Sequence, residues 1–279
     1  MRSLGLKVAV ALSCVLFAFA AAAAYAAENH HIVYIPTKDT IVPKPRSSNL
    51  VNHGGPVIVS AKVRFIFWGP SFANAGSPDH AYATTLQAFR DQFGTTGEYN
   101  VITQYSGSNG TIALTNLGSG AADVFDISTP PTNVTDSAVQ GEVTSHGSTD
   151  TSTIYEVVIP STSYSSSGTS TSCGGPHLAY CAYHSWIGSG TSAIKYSIEP
   201  YPSCSGCSLA GWSDVQNQEH FVCHETREAV TDPTGSTWFD RSGAEADDKC
   251  AWSPTPFLVG GYGYQYEWSN LTSSCQQTR

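Results

Sequence analysis

Residues 213–233 carry a complete set of signals for one long helix, and this segment constrains the fold more than any other. Ser213-Asp214-Val215-Gln216 is a capping box of the S-x-x-Q type. The Asp232-Pro233 pair stops a helix, because the residue before a proline is pushed out of the α region. The pattern predicts a helix that begins behind Ser213 and continues to about Val230.

The predicted helix contains the pattern H-E-x-x-E at residues 224–228. This pattern differs by one residue from H-E-x-x-H, by which many metallopeptidases hold zinc and place a general base. Because a helix turns about 100° per residue, His224 and Glu228 share a face with His220. The opposite face is apolar and consists of Val215, Val222 and Ala229. We therefore expect the polar face to look toward solvent or a cleft.

A metal centre can be assembled around this helix. His224 and Glu228, spaced i and i+4, can reach one ion, and a third ligand must come from downstream, where Glu245 and Asp248 are the candidates. A catalytic zinc takes three protein ligands and keeps one position open. Glu225 is then the candidate general base, since it can accept the proton of an attacking water molecule.

Other interpretations of the same residues stay open. One imidazole and two carboxylates select zinc less strongly than two imidazoles and a carboxylate, so calcium or manganese could occupy the site. Alternatively, Arg227 and Lys249 neutralise Glu228 and Asp248 on an ordinary helix surface. A strict metzincin is excluded, because residues 231 and 234 are threonines and Met1 is the only methionine. No G-x-S-x-G motif is present for a serine hydrolase.

The N-terminus predicts export. Arg2 and Lys7 precede an apolar run, and Ala24-Tyr25-Ala26 is a small-x-small cleavage signal, so residues 1–26 are a predicted secretory signal peptide. Residues 27–52 contain three prolines without a sustained period and predict an extended arm. Residues 53–279 are then one domain, with a cysteine-rich C-terminal half.

Charge and aromatic content limit the partners. The chain has 13 basic and 22 acidic residues without a basic stripe, which argues against nucleic-acid binding. After signal cleavage no membrane-spanning run remains. A peptide or a cell-wall polysaccharide are the candidate partners, the latter in a non-catalytic binding module. Sugars could stack on the C-terminal aromatic residues, although such residues more often fill a core: Trp238, Phe239, Trp252, Tyr262, Tyr264, Tyr266 and Trp268.

Seven cysteines follow the signal peptide, all in the last 107 residues, and export favours their pairing in disulfides. The odd number leaves one thiol unpaired. The favoured pairs are local: Cys173–Cys181, Cys204–Cys207 and Cys223–Cys250, with Cys275 left over.

Periodicity predicts an α+β fold. Residues 57–68 alternate as a strand, with Val63 and Phe65 on one face and Ile66 and Trp68 on the other. Helices are predicted behind Ser77 to about residue 93 and over residues 136–146. Further strands are predicted over residues 99–105, 111–114, 154–159 and 193–198. The order of elements suggests a zincin-like layout, in which a mixed sheet packs with two or three helices.

Several segments, taken in order, resemble the EXORDIUM / phosphate-induced protein 1 family. The first half contributes His53-Gly54-Gly55-Pro56-Val57, Ile66-Phe67-Trp68-Gly69 and Ile154-Tyr155-Glu156-Val157-Val158. The second half contributes Cys173-Gly174-Gly175, Cys181-Ala182-Tyr183-His184, Pro202-Ser203-Cys204-Ser205-Gly206-Cys207, and Thr231-Asp232-Pro233 followed by Trp238, Glu245 and Cys250.

The resemblance covers roughly residues 50–252 and implies a secreted, compact extracellular protein. The plant members look like apoplastic proteins tied to growth and nutrient status. An intact H-E-x-x-E makes this chain look closer to a microbial branch than to those plant members. The resemblance implies no established reaction and transfers no active site.

Overall fold

The computed structural model describes residues 32–40, 48–120 and 122–279. The predicted signal peptide lies outside the described residues, as do residues 41–47 of the predicted arm. None of the described helices is long and apolar enough to cross a membrane.

Helices are interspersed among the strands as far as residue 231, and only short strands and a 3₁₀ turn follow. The helices are α1 (Pro70–Ala73), α2 (Pro78–Phe93), α3 (Gly97–Asn100), α4 (Asp136–Ser145) and α5 (Asp214–Thr231). The strands are β1 (Val33–Pro36), β2 (Val51–Asn52), β3 (Lys62–Trp68), β4 (Ser106–Gly107), β5 (Gly110–Thr111), β6 (Val124–Asp126), β7 (Asn133–Thr135), β8 (Thr153–Ile159), β9 (Tyr164–Ser167), β10 (Ser170–Thr171), β11 (Tyr180–Ile187), β12 (Ile194–Pro200), β13 (Trp238–Phe239), β14 (Phe257–Val259), β15 (Tyr262–Tyr264), β16 (Glu267–Ser269) and β17 (Ser274–Gln276).

A six-stranded mixed sheet forms the centre, in the order β1-β11-β12-β8-β3-β6. Strands β12, β8, β3 and β6 run parallel to one another, whereas β11 is antiparallel to both β12 and β1. Strand β1 belongs to the predicted arm, and it forms one edge of the sheet. The mixed sheet with few helices confirms the α+β prediction at this level.

The two faces of the sheet bury different helices. On β3, Val63 and Phe65 belong to the core that contains residues of α2 and α5, whereas Ile66 and Trp68 belong to the core that contains residues of α4. Successive side chains of a strand point to opposite faces, so the predicted alternation is confirmed. The sheet is thus a middle layer, with α5 on one side and α4 on the other.

Helices α2 and α4 follow the sequence signals. Ser77 and Thr135 each accept a hydrogen bond from a backbone N–H in the first turn of the helix that follows. The strand predicted over residues 99–105 is wrong. These residues continue from α3 into a 3₁₀ turn at Val101–Gln104, because Thr96 caps the helix and Tyr99, Ile102 and Tyr105 are buried with a spacing of three.

The three predicted disulfide pairings are wrong. Cys204 precedes and Cys207 ends a short 3₁₀ turn (Ser205–Cys207), and the two sulfur atoms bind different partners, one before β11 and one on it. Cys223 is buried on α5 and unbridged, which leaves Cys250 to bridge the C-terminal hairpin. The observed disulfides are Cys173–Cys204, Cys181–Cys207 and Cys250–Cys275.

Candidate metal centre

Helix α5 is built as predicted but is placed differently. The Ser213 hydroxyl accepts from the backbone N–H of Gln216, and the Gln216 side chain accepts from the N–H of Ser213, which completes the capping box. Every residue from Asn217 to Thr231 is buried, so of the two expected surroundings, solvent or a cleft, solvent is wrong.

Strands of two sheets pack against α5. The helix contacts β11 and β12 of the central sheet, and it also contacts β15. The approach of β15 is close, because a β-carbon at Gly263 would collide with the carbonyl oxygen of Gln216. The polar row of α5 is enclosed as well, because Gln265 contacts His220 and His224 and the Trp252 ring lies against His220.

Six ionisable side chains meet beside the C-terminal half of α5, and we call them the carboxylate centre. Three come from the helix, one comes from β11, and two come from residues 245–248, where a 3₁₀ turn (Asp248–Cys250) begins. The members are His184, His224, Glu225, Glu228, Glu245 and Asp248.

The structure brings together three of the predicted metal ligands. His224 Nε2 lies 3.2 Å from Glu228 Oε2 and 3.9 Å from Asp248 Oδ1. Within the described residues, His224 Nε2 and Glu228 Oε2 are buried and have no hydrogen-bond partner. One ligand atom from each of the three residues lies within 4.8 Å of the other two. This is the spacing of a ligand triad.

The remaining two predicted residues have other neighbours. The predicted base Glu225 places Oε2 3.0 Å from His184 Nδ1, while its Oε1 has no hydrogen-bond partner among the described residues. Glu245, the alternative third ligand, lies on the other side of the His184 ring, with Oε1 3.8 Å from Nε2. Asp248 is thus the acid that completes a triad with His224.

Backbone contacts hold the downstream acids in place. The backbone N–H of Asp248 donates to Glu228 Oε1 at 2.9 Å, and the N–H of Glu245 donates to Asp248 Oδ2 at 3.1 Å. Cys250, two residues further, is tied to Cys275. The segment is therefore anchored both to the motif helix and to the C-terminal hairpin.

Gln265 sets the tautomer of His224. Its Nε2 donates to the backbone and side-chain oxygens of Asp247 at 2.8 and 3.0 Å, which assigns Oε1 as the acceptor. That oxygen lies 3.2 Å from His224 Nδ1 and 3.0 Å from His220 Nε2. Both histidines must therefore donate to it. In neutral His224 the Nε2 lone pair then points at the Glu228 carboxylate, an arrangement that requires a cation or a proton between them.

Burial and mutual repulsion raise the pKa values of three acids of the centre. Burial, together with the charges of Glu228 and Asp248, raises the pKa of Glu225 well above its ordinary value. Burial likewise raises the pKa of Glu245, and it raises the pKa of Asp248 to about 8. For His224, burial alone would lower the pKa, but the adjacent Glu228 carboxylate outweighs it and raises the pKa.

A row of polar side chains on three neighbouring strands of the sheet lies next to α5. His184 on β11 is paired with Ser197 on β12, which is paired with Glu156 on β8. Glu156 accepts from the Thr226 hydroxyl at 2.6 Å, and burial raises its pKa to about 8. The sheet therefore presents polar side chains where its strands pass beneath the motif helix.

Sequence reasoning missed His184 and Gln265. His184 lies near the middle of a mostly apolar strand, Tyr180–Ile187, and a lone histidine in such a strand was the available signal. Gln265 lies among the C-terminal aromatic residues, which drew attention to sugar stacking rather than to the metal site. Neither residue shares a motif with residues 224–228, so only the fold brings them together.

The centre has a route to solvent. Asp248 retains 21 % of its side-chain exposure, in contrast to the fully buried helix residues. Glu245 lines a cavity of about 240 Å³ whose walls include the partly exposed rings of Trp186 and Phe239. A substrate group entering this cavity would come within reach of the carboxylate centre.

The C-terminal aromatic residues are largely part of the core. Tyr264 and Trp268 are buried, and Trp238, Tyr262 and Tyr266 pack against the same apolar cluster. Aromatic residues packed in this way do not form an open platform for sugars.

Comparisons of the chain with protein-family models, curated proteins and solved structures find no match. The assignment of the centre therefore depends on its own geometry.

Proposed function

We propose that this protein is an extracellular, divalent-cation-dependent hydrolase of zincin-like layout. His224, Glu228 and Asp248 bind the ion, and Glu225 is the general base. The observation that carries the proposal is the facing pair His224 Nε2 and Glu228 Oε2, which lie 3.2 Å apart, fully buried and without a hydrogen-bond partner among the described residues.

The donor atoms fit such an ion. Ligands placed 2.0–2.2 Å from a tetrahedral ion lie about 3.3–3.6 Å from one another. The two distances from His224 Nε2, 3.2 and 3.9 Å, bracket that interval, so small side-chain rotations suffice. One imidazole with two carboxylates suits zinc or manganese, and calcium would require further oxygen ligands.

The protein residues supply position and proton transfer. A bound divalent cation polarises a carbonyl group and lowers the pKa of water. Glu225 is held by His184 through Oε2, which leaves Oε1 to accept the proton of the attacking water. The cavity beside Glu245 then holds the acyl side of a peptide or a similar bond.

The proposal also includes export of the protein and a relationship to the EXORDIUM-like family. The three disulfides support an oxidising compartment, since such bonds persist mainly in exported proteins. The signal-like N-terminus supports the same location.

Hydrolysis of a fluorogenic peptide library by the zinc- or manganese-loaded protein tests the proposal. Glu225→Gln should lower kcat/KM by about 10²–10⁴-fold, because it removes the base and keeps the shape of the side chain. Glu219→Gln is the matched control, since Glu219 is also buried on α5 but accepts from Gly263 outside the centre.

We expect Glu219→Gln to retain nearly full activity. Wild-type activity in Glu225→Gln would refute the assignment of the base. An ion-loaded protein that cleaves no member of the library would refute hydrolysis of peptides.

A further inference from the structure

Glu228 takes part in a second triad. Its Oε2 lies 3.7 Å from His184 Nδ1, and that nitrogen lies 3.0 Å from Glu225 Oε2. One ligand atom each from His184, Glu225 and Glu228 lies within 4.8 Å of the others, as in the first triad. The two triads share Glu228 and approach it from different elements, His184 from β11 and Asp248 from the downstream segment.

The ionised centre carries more negative charge than one divalent cation balances. When cation binding displaces the carboxyl protons, Glu225, Glu228, Glu245 and Asp248 carry four negative charges in one cluster, of which only Asp248 is partly exposed. The nearby basic side chains serve other acids, because Arg227 pairs with Asp247 and Lys249 pairs with Asp240. Two divalent cations match four negative charges, and buried charges are stable only when they are matched.

The distances of the second triad also suit an ion. The two separations from His184 Nδ1, 3.0 and 3.7 Å, bracket the spacing of about 3.3–3.6 Å expected for tetrahedral ligands. Ions that share a carboxylate lie about 3.5–4 Å apart in two-metal sites. Glu225 Oε1 and Glu228 Oε2 are fully buried and have no hydrogen-bond partner among the described residues, so both offer a free lone pair.

We propose that the carboxylate centre binds two divalent cations, with Glu228 as the bridging carboxylate. The first position is the one on which the proposed function depends, and the second is formed by His184, Glu225 and Glu228. Two histidines with a majority of carboxylates favour manganese or zinc. When the second position is filled, Glu225 is a metal ligand. Glu225 acts as the general base only in the form of the protein that binds a single ion.

A third group of similar composition shows the contrast. Asp126, Glu142 and His146 also lie within ligand distance of one another. There, however, His146 Nε2 hydrogen-bonds to both carboxylates, at 3.1 and 2.9 Å, and two of the side chains are about one-fifth exposed. The hydrogen bonds within this group satisfy His146 Nε2 without an ion, so His146 provides a control position for the experiment.

Manganese content after dialysis against trace Mn²⁺ tests the proposal, with electron paramagnetic resonance as the second readout. The full protein should bind two equivalents and give the spectrum of two coupled ions. His184→Ala should bind one equivalent with an uncoupled six-line spectrum, and His146→Ala should still bind two. The wild-type spectrum decides the question if His184→Ala does not fold.

The two proposals fail in different ways. One uncoupled equivalent in the wild-type protein overturns the binuclear centre and leaves the single-ion hydrolase standing. Binding of no Mn²⁺ or Zn²⁺ by the folded protein overturns both.

Discussion

Two buried charged regions lie side by side on α5, and they are neutralised in different ways. Arg227 donates to both carboxylate oxygens of Asp247 and to the backbone carbonyls of Glu98 and Gln265, and it lies 2.9 Å from Glu267 Oε2. One turn of the same helix supplies His224, Glu225 and Glu228 to the carboxylate centre.

The comparison separates a structural role from a functional one. In the Arg227 region the protein supplies its own cation, and a guanidinium held by five contacts with protein oxygens is fixed in place. In the carboxylate centre, acid side chains face two imidazoles, and several buried lone pairs have no hydrogen-bond partner among the described residues. The second arrangement is stable when a cation is supplied from solution.

Removal of the guanidinium should have the largest effect. Arg227→Met leaves Asp247 and Glu267 buried without their partner, so we expect the free energy of unfolding to fall by about 3–5 kcal/mol. Urea denaturation measures this change. Arg241→Met, at an exposed arginine, should change stability by less than about 0.5 kcal/mol. Equal losses in the two variants would show that the Arg227 region is not a structural ion network.

Cations should stabilise the carboxylate centre by a somewhat smaller amount. An ion at 100 times its Kd raises the free energy of unfolding by about 2.7 kcal/mol, because it binds the folded chain. For a chain of this size that corresponds to a Tm increase of about 5–10 °C. Thermal unfolding with zinc, compared with chelator, measures the increase.

Two variants make the cation effect specific. His224→Ala should clearly reduce the Tm increase, because it removes a ligand of the first position, whereas His146→Ala should retain the full increase. An increase of the same size in His224→Ala would show that the stabilising ion does not occupy the position formed by His224, Glu228 and Asp248.

Thr226 lies between Glu225 and Arg227 in the sequence of α5, and loss of its hydroxyl should lower stability by a smaller amount. Thr226→Val removes the donor to Glu156, and a buried acceptor left unsatisfied costs about 1–3 kcal/mol. Thr226→Ser keeps the hydroxyl and should lie near the wild type in urea denaturation. Cation affinity should not change in either variant. A Thr226→Val protein as stable as wild type would show that Glu156 finds another donor.

The smallest effect concerns Cys223. Burial raises the pKa of this thiol to about 12, so at pH 8 very little thiolate is present or accessible. Ellman's reagent should label no thiol in the folded chain that lacks residues 1–26, and one thiol after unfolding without reductant. Labelling of the folded protein would contradict the enclosed position of α5.

Much of this centre could be predicted from the sequence, because helix geometry is local. The capping box and the Asp-Pro stop define α5, and the i, i+4 spacing places His224 and Glu228 on one face. The sequence also identifies Asp248 as a candidate third ligand, but it does not decide between Asp248 and Glu245. That choice depends on the backbone N–H of Asp248, which binds Glu228 directly.

The rest depends on contacts that are distant in sequence. His184 reaches Glu225 across 41 positions, and the sheet order that brings β11 beneath α5 is not encoded in any local pattern. The disulfides show the same limit, since nearby cysteines within a turn bind partners 26 and 31 residues away. The burial of the polar face of α5 also arises from Gln265, which contacts His220 and His224, and from the Trp252 ring, which lies against His220.

Anomalous diffraction from crystals grown with zinc or manganese tests the central claim most directly. The account predicts a peak about 2.0–2.2 Å from His224 Nε2 and from oxygens of Glu228 and Asp248. Well-ordered density for these three side chains without an anomalous peak among them, at saturating ion concentration, would contradict it.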